Sequence, residues 1–179
     1  MAESDSEATA VEPRNALRRR APVAMLATVT AAALVLAGYY YWQHRQVREL
    51  EQAREDARRT ACAYAPVMAD YDAKNLDTYF AAVLAGATGE WKTEFDATSR
   101  DLREVLVQGQ VVAKVDTVQC AIETADERTA RAVAVVRQTI TSLGTNSQPR
   151  PGQLTVTLSM EKSGDSWLVN NVSSPVLPR

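Results

Sequence analysis

Histidine is almost missing from this sequence. His44 is the only one among 179 residues, and it lies at the end of an apolar run. No Ser-His-Asp or Cys-His pairing can therefore be built in the rest of the chain. Cysteine is equally scarce. Cys62 and Cys120 are the whole inventory; with no Cys-x-x-Cys and a long separation they offer no zinc spacing. Neither a Gly-x-Gly-x-x-Gly fingerprint, a phosphate-cradling loop, a His-Glu-x-x-His pair nor a calcium loop occurs. The sequence thus implies no catalytic residue, no cofactor and no metal. An excess of positive charge is also lacking. From Thr60 onward eleven Lys and Arg face fourteen Asp and Glu, which excludes a nucleic-acid partner and a polybasic lipid-headgroup binder.

What the chain does contain is one long stretch without charge, Ala21 to Gln43. About 20 mostly apolar residues cross a hydrocarbon core, and in lipid only a helix satisfies the backbone of a lone segment. Arg18, Arg19 and Arg20 precede the stretch, while Tyr39, Tyr40, Tyr41 and Trp42 close it as an aromatic belt. Basic residues stay on the cytoplasmic side. The reading is a disordered cytoplasmic tail over 1–20, a membrane helix over 21–43, a stalk helix over 44–60 and an extracytoplasmic domain over 61–179. A cleaved signal peptide would need a shorter apolar core with a small-x-small exit, and Leu36 stands at the critical place. Small residues recur four apart in the span (Ala24/Thr28, Ala27/Ala31, Ala33/Ala37). Another helix could approach closely there, or the span is merely rich in alanine.

Beyond the span, Val47, Leu50, Arg54, Ala57, Ala61, Tyr64, Met68 and Tyr71 follow spacings of three and four. The early, charged part reads as a stalk and the later part as a core helix ending near Asp72, with a kink or restart at Pro66. Such a seam would also let two stalks pair as a coiled-coil homodimer. In an oxidising compartment Cys62 and Cys120 would form a disulfide; two buried free thiols are the alternative.

Asn75 suits a helix N-cap, with Asp77 in the first turn. A helix over Leu76–Ala85 then stops at Gly86. Thr88 or Gly89 opens a third helix with Trp91, Phe95, Leu102, Val105 and Leu106 on one face. Strands follow. The alternation flips phase near Asp116–Thr117, which predicts a bulge. Val133–Ile140 is dense enough for a central strand covered on both faces, and Leu143–Gly152 reads as a loop. Leu154 to Met160 alternates cleanly, and Trp167–Val172 closes the chain. The expected fold class is α+β: three helices packed on a curved, mainly antiparallel sheet of about four strands.

The segment Tyr71-Asp72-Ala-Lys-Asn75-Leu76-Asp77-Thr-Tyr-Phe80, followed by Gly86-Ala87-Thr88-Gly89-Glu-Trp-Lys92-Thr-Glu-Phe95, resembles the Mce-associated membrane proteins of mycobacteria and their relatives. The layout of tail, span, stalk and a domain ending in Trp167-Leu-Val169 is similar too. The resemblance implies a cone-shaped domain like nuclear transport factor 2, similar also to the outer domain of type IV secretion assembly factors. It implies a non-enzymatic accessory protein that stabilises or assembles an Mce transporter of lipids and sterols, and it supplies no catalytic residues. Two rivals remain at this stage besides assembly of another envelope complex. A lipid-binding module would hold its ligand in the cone, unless Trp91, Phe95, Val135 and Leu158 fill it. An enzyme like ketosteroid isomerase, which pairs a carboxylate base with tyrosine donors, would draw on Tyr64, Tyr71, Tyr79, Asp70 and Asp72. Fold analogy alone carries that second idea.

Overall fold

The computed structural model describes the backbone of residues 15–174 and the side chains of Thr30 and residues 33–174. By its contacts the chain falls into two units, 1–46 and Val47–Arg179. Helix α1 spans Asn15–Ala69, the short strand β1 Tyr71–Asp72, α2 Leu76–Ala85 and α3 Gly89–Gln108. Four longer strands follow, β2 Val112–Ala125, β3 Thr129–Thr141, β4 Arg150–Ser163 and β5 Ser166–Ser173, with a 3-10 turn at Leu143–Thr145. They form one antiparallel sheet in the order β1-β2-β3-β4-β5. The α+β expectation therefore holds, with five strands instead of four.

Helix α1 departs from the sequence reading at its end, in having no restart and in part of its buried face, although Ala57, Ala61 and Tyr64 of the expected seam are buried. It continues through Pro66 without a restart and ends at Ala69, and Tyr71–Asp72 leave the helix to pair with Ala113 and Val112 of β2. Its buried stripe is Ala53, Ala57, Ala61, Ala65 and Ala69, joined by Tyr64. That spacing is a constant four. Four residues turn a helix by about 400°, so the stripe advances about 40° per step round the axis, as suits a helix crossing a curled sheet. A straight seam of threes and fours would instead suit a second helix. Val47 and Leu50, the first members of that expected seam, are 51% and 42% exposed. Among the described residues no helix is long and apolar enough to cross a membrane. Residues 21–29, 31 and 32 of the run, and Arg18, Arg19 and Arg20, fall outside the residues whose side chains are described.

The sheet supplies the other half of the core. On β3 the buried residues Ala130, Ala132, Ala134 and Val136 alternate with half-buried or exposed ones. This central strand is thus fully covered on one face only, because an antiparallel sheet can leave its second face to solvent. Register sets Ala130, Ala132 and Ala134 beside Met160, Leu158 and Val156 of β4, so small residues on β3 lie next to large ones on β4. Cys120 pairs with Ala134, and its bridge to Cys62 holds the two Cα atoms 5.7 Å apart. That bridge sets α1 over the alanine-lined part of the sheet.

The bulge expected near Asp116 is present as a register shift between Val115 and Thr117, and a second one lies between Ile122 and Thr124. Helix α2 has the predicted ends. Helix α3 buries Phe95 and Leu106 but leaves Val105 63% exposed, against the expected apolar face. The predicted loop 143–152 is shorter than expected: Arg150, Pro151 and Gly152 already pair with Ile140, Thr139 and Gln138 of β3.

Candidate functional site

Three helices meet at one phenol. Tyr64, on the buried side of α1, donates its hydroxyl to the Val83 carbonyl of α2 at 2.9 Å. The same oxygen accepts the indole N–H of Trp91, on α3, at 2.8 Å. Gly86, the residue after α2, has φ −94°, a conformation open to any residue. Space, not backbone freedom, demands glycine here. A Cβ would lie 2.5 Å from Cε2 and 2.6 Å from Cδ2 of the Tyr64 ring.

The next residues dock on the sheet. Ala87 forms a parallel bridge with Val169 of β5. Val169 N–H donates to the Gly86 carbonyl at 2.9 Å, and Thr88 N–H donates to the Val169 carbonyl at 2.8 Å. Gly89 then opens α3 with φ +54°, where its missing Cβ would meet that of Asn170 at 3.4 Å. The Gly86-Ala87-Thr88-Gly89 turn is thus a one-bridge extension of the sheet locked beneath Tyr64. Thr88 and Asn75 hold the N-cap positions of α3 and α2 without a side-chain capping bond; the Asn75 oxygen instead accepts the Thr78 hydroxyl at 3.0 Å.

The residues named for an isomerase-like site are drawn partly together. Asp70, Tyr71, Asp72 and Tyr79 line a hollow of about 260 Å³ with Lys114; Tyr64 is not among its lining residues. Each polar group with a bond there is held by the protein itself. Lys114 Nζ lies 2.7 Å from Asp70, which also accepts the Val115 N–H at 3.3 Å. Tyr79 donates to the Met68 carbonyl at 3.2 Å, and Asp72 accepts the Lys74 N–H at 2.9 Å. Burial pushes the Tyr64 phenol up to about 12, and raises those of Tyr79 and Tyr71. All three stay protonated near neutrality, as donors and not bases.

The rings of Tyr71, Tyr79, Phe80, Phe95 and Trp91 form a run of contacts with centroids 5.2 to 6.2 Å apart. Phe80, Phe95 and Leu158 are buried, while Trp91 and Val135 are half-buried. Phe80, Phe95, Leu158 and Trp91 belong to the packed core, whereas Val135 alternates with buried Ala134 and Val136 and so lies on the sheet's other face. On the N-terminal side, Tyr39, Tyr40, Tyr41 and Trp42 are each more than half exposed. Sequence reasoning missed the Tyr64–Trp91–Val83 junction, whose partners lie 27 and 19 residues apart. It also missed the Asp70–Lys114 pair. The alanine spacing of four was the one readable signal for the α1 contact.

A family model described as "Uncharacterized protein Rv1363c/MT1408-like" matches residues 19–170. The chain belongs to that family. Among its relatives, the uncharacterized protein Rv1363c of Mycobacterium tuberculosis (strain H37Rv) is 29% identical over 157 residues, covering 83% of this chain. The chain spans 59% of that relative's length. Two solved structures share the fold of this Rv1363c-like chain. One is an IcmL-like type IV secretion system protein of Legionella pneumophila, with a TM-score of 0.53 and 17% identity, covering 70% of this chain and 95% of that one. The other is the periplasmic domain of DotI, with a TM-score of 0.51 and 13% identity, covering 65% and 90%.

Proposed function

We propose that this protein is a membrane-anchored, non-enzymatic accessory protein that holds together or helps assemble a larger envelope complex. Its domain is extracytoplasmic in this reading. The observation that carries the reading is helix α1. One unbroken helix is buried along Ala53–Ala69 in the domain's core and bears four exposed aromatic side chains at 39–42. Exposed Tyr and Trp at one level suit a membrane–water interface, and the charge-free run precedes them. The fold shared with a type IV secretion protein and with a periplasmic domain supports a place among envelope assemblies. The finer form of the proposal is an Mce importer of lipids or sterols as the complex served. What supports it is the likeness of Tyr71–Phe95 to the Mce-associated proteins.

A clean deletion with quantitative proteomics of the membranes tests this. The expected result is a severalfold loss of the subunits of one envelope complex, restored by the full chain, while the purified protein turns over no sterol. Unchanged subunit levels in the deletion strain would sink the proposal. Loss of a complex other than an Mce importer would remove only the finer form.

A further inference from the structure

The two sides of the sheet end differently. At β5 the turn Gly86–Thr88 takes up the outer groups of Val169. At the other side β1 covers β2 only at Val112 and Ala113, and Asp70 caps the Val115 N–H. From Thr117 to Ile122 the outer edge of β2 has no backbone or side-chain partner among the described residues. An open row of N–H and C=O groups is a template for another strand. Natural edges are guarded by charges, prolines or bulges. Here the guards stand only at the ends: bulges at Val115/Thr117 and Ile122/Thr124, with Asp116 and Glu123 beside them. The six residues between, Thr117-Val-Gln-Cys-Ala-Ile122, hold no charge, proline or glycine. In the middle, the Cys62–Cys120 bridge pins the strand to α1, so the template is rigid before anything binds.

We infer that the β2 edge over Thr117–Ile122 docks an extended segment of a partner protein, which adds to the sheet as a strand in line with β1. The proposal rests on the accessory role above and assigns it a surface. The chemistry of the occupant follows from the edge. The bulges limit it to about six residues, since each bends the strand and breaks the ladder. Val118, Cys120 and Ile122 are half-buried on the side of α1, whereas Thr117, Gln119 and Ala121 are exposed on the other. The partner segment therefore alternates apolar and polar side chains, is uncharged at its centre and lacks proline. A second copy fits poorly. Twofold pairing of two β2 edges would run the two copies' Ala53–Ala69 helices in opposite directions, which chains entering from one bilayer do not do. Backbone bonds would supply affinity and alternate side chains specificity.

The test uses the full chain in its own membranes. Hydrogen exchange is compared between native membranes and detergent-purified protein, and a photoreactive residue at Gln119 reports neighbours. Alternate amides of 117–122 should exchange at least tenfold more slowly in membranes, and Gln119 should cross-link to another envelope protein. Thr117→Pro and Val118→Pro, each carrying the probe at Gln119, separate backbone pairing from side-chain contact, because neighbouring N–H groups in a strand point to opposite edges. The variant that keeps the melting temperature within a few degrees has lost only an outward N–H. It should lose most of the cross-link. Equal exchange in both settings, a cross-link only to a second copy, or a cross-link undiminished in the folded proline variant overturns the inference. If neither variant folds, the exchange comparison on the unmutated chain decides alone. If the complex still co-purifies with an unprotected edge, the inference falls and the accessory role stands; if no complex co-purifies, both fall.

Discussion

Gly86 and Tyr64 share a space that holds only one side chain: a methyl at Gly86 would overlap the Tyr64 ring edge at 2.5 and 2.6 Å. The backbone at Gly86 would tolerate alanine, with φ −94°, so steric overlap is the whole cost. Forcing extra carbon into a packed site costs about 1–3 kcal/mol. Gly86→Ala should lose that much in urea melts of the purified protein. In a Tyr64→Leu background the ring is gone, and the same change should cost well under half as much. Equal cost in both backgrounds would show that the ring is not what selects glycine.

Tyr64 also has a polar role. Tyr64→Phe keeps the ring but leaves the Trp91 N–H unpaired and the Val83 carbonyl with only the Gly86 N–H, at 3.3 Å. Unpaired buried groups cost about 1–3 kcal/mol in all. In a double-mutant cycle with Trp91→Phe the two losses should fall short of additive, since both remove one bond. Calorimetry on the four proteins measures it; strict additivity would refute a direct coupling.

Alkaline unfolding follows from the same burial. In the unfolded chain the Tyr64 phenol titrates near 10.0, and in the folded protein at about 12. Between those values the unfolded state binds fewer protons, so stability falls as pH rises. The contribution is whole below pH 10 and is lost on the way to 12, with Tyr79 and Tyr71 acting in the same direction. Denaturant melts from pH 8 to 12 should show the midpoint dropping above pH 10, and less steeply in Tyr64→Phe. A flat midpoint through pH 11 would contradict the burial assigned to these phenols.

Local pattern carried much of this fold into the sequence. The ends of α2, the start of α3, the flip at Asp116 and the alternation of β4 each depend on neighbours within a few residues. The junction at Tyr64 depends on partners 19 and 27 residues away, and nothing near Tyr64 announces it. Gly86 was legible as a helix end but for a different reason, because a glycine needed for room looks the same as one needed for φ. The expected seam on α1 holds at Ala57, Ala61 and Tyr64 and fails at Val47 and Leu50, while Ala53, Ala65 and Ala69 join the contact because a curled partner shifts it to every fourth residue. Strand β1 escaped notice since two residues after a helix have no period. The open edge of β2 was invisible for the same kind of reason, as strand order is a property of the whole sheet.

The Cys62–Cys120 bridge closes a loop between residues 58 apart. The chain-entropy account gives about 4 kcal/mol for a loop of that size. Reduction, or Cys62→Ser with Cys120→Ser, should lower stability by roughly that amount, read as the difference between urea melts with and without reductant. The double serine variant should then be insensitive to reductant. A wild-type melt unmoved by reductant, with free thiols confirmed by mass spectrometry, would remove the bridge as a stabilising element.

The alanine stripe gives the sharpest test of how α1 meets the sheet. Ala61 is fully buried, while Ala63, two residues on, is exposed. Leucine favours a helix nearly as well as alanine, so propensity is the same at both sites and only packing separates them. Ala63→Leu should change stability by less than about 0.5 kcal/mol, as surface changes do. Ala61→Leu adds three carbons between a helix and alanine-lined strands, and should cost about 1–3 kcal/mol or more. Ala57→Leu, at the next position up the stripe, should behave like Ala61→Leu. If the stripe were instead a straight seam toward a second helix, leucine at 57 and 61 would strengthen it and raise the melting temperature with protein concentration. A melting temperature that falls, independent of concentration, places these alanines against the chain's own sheet.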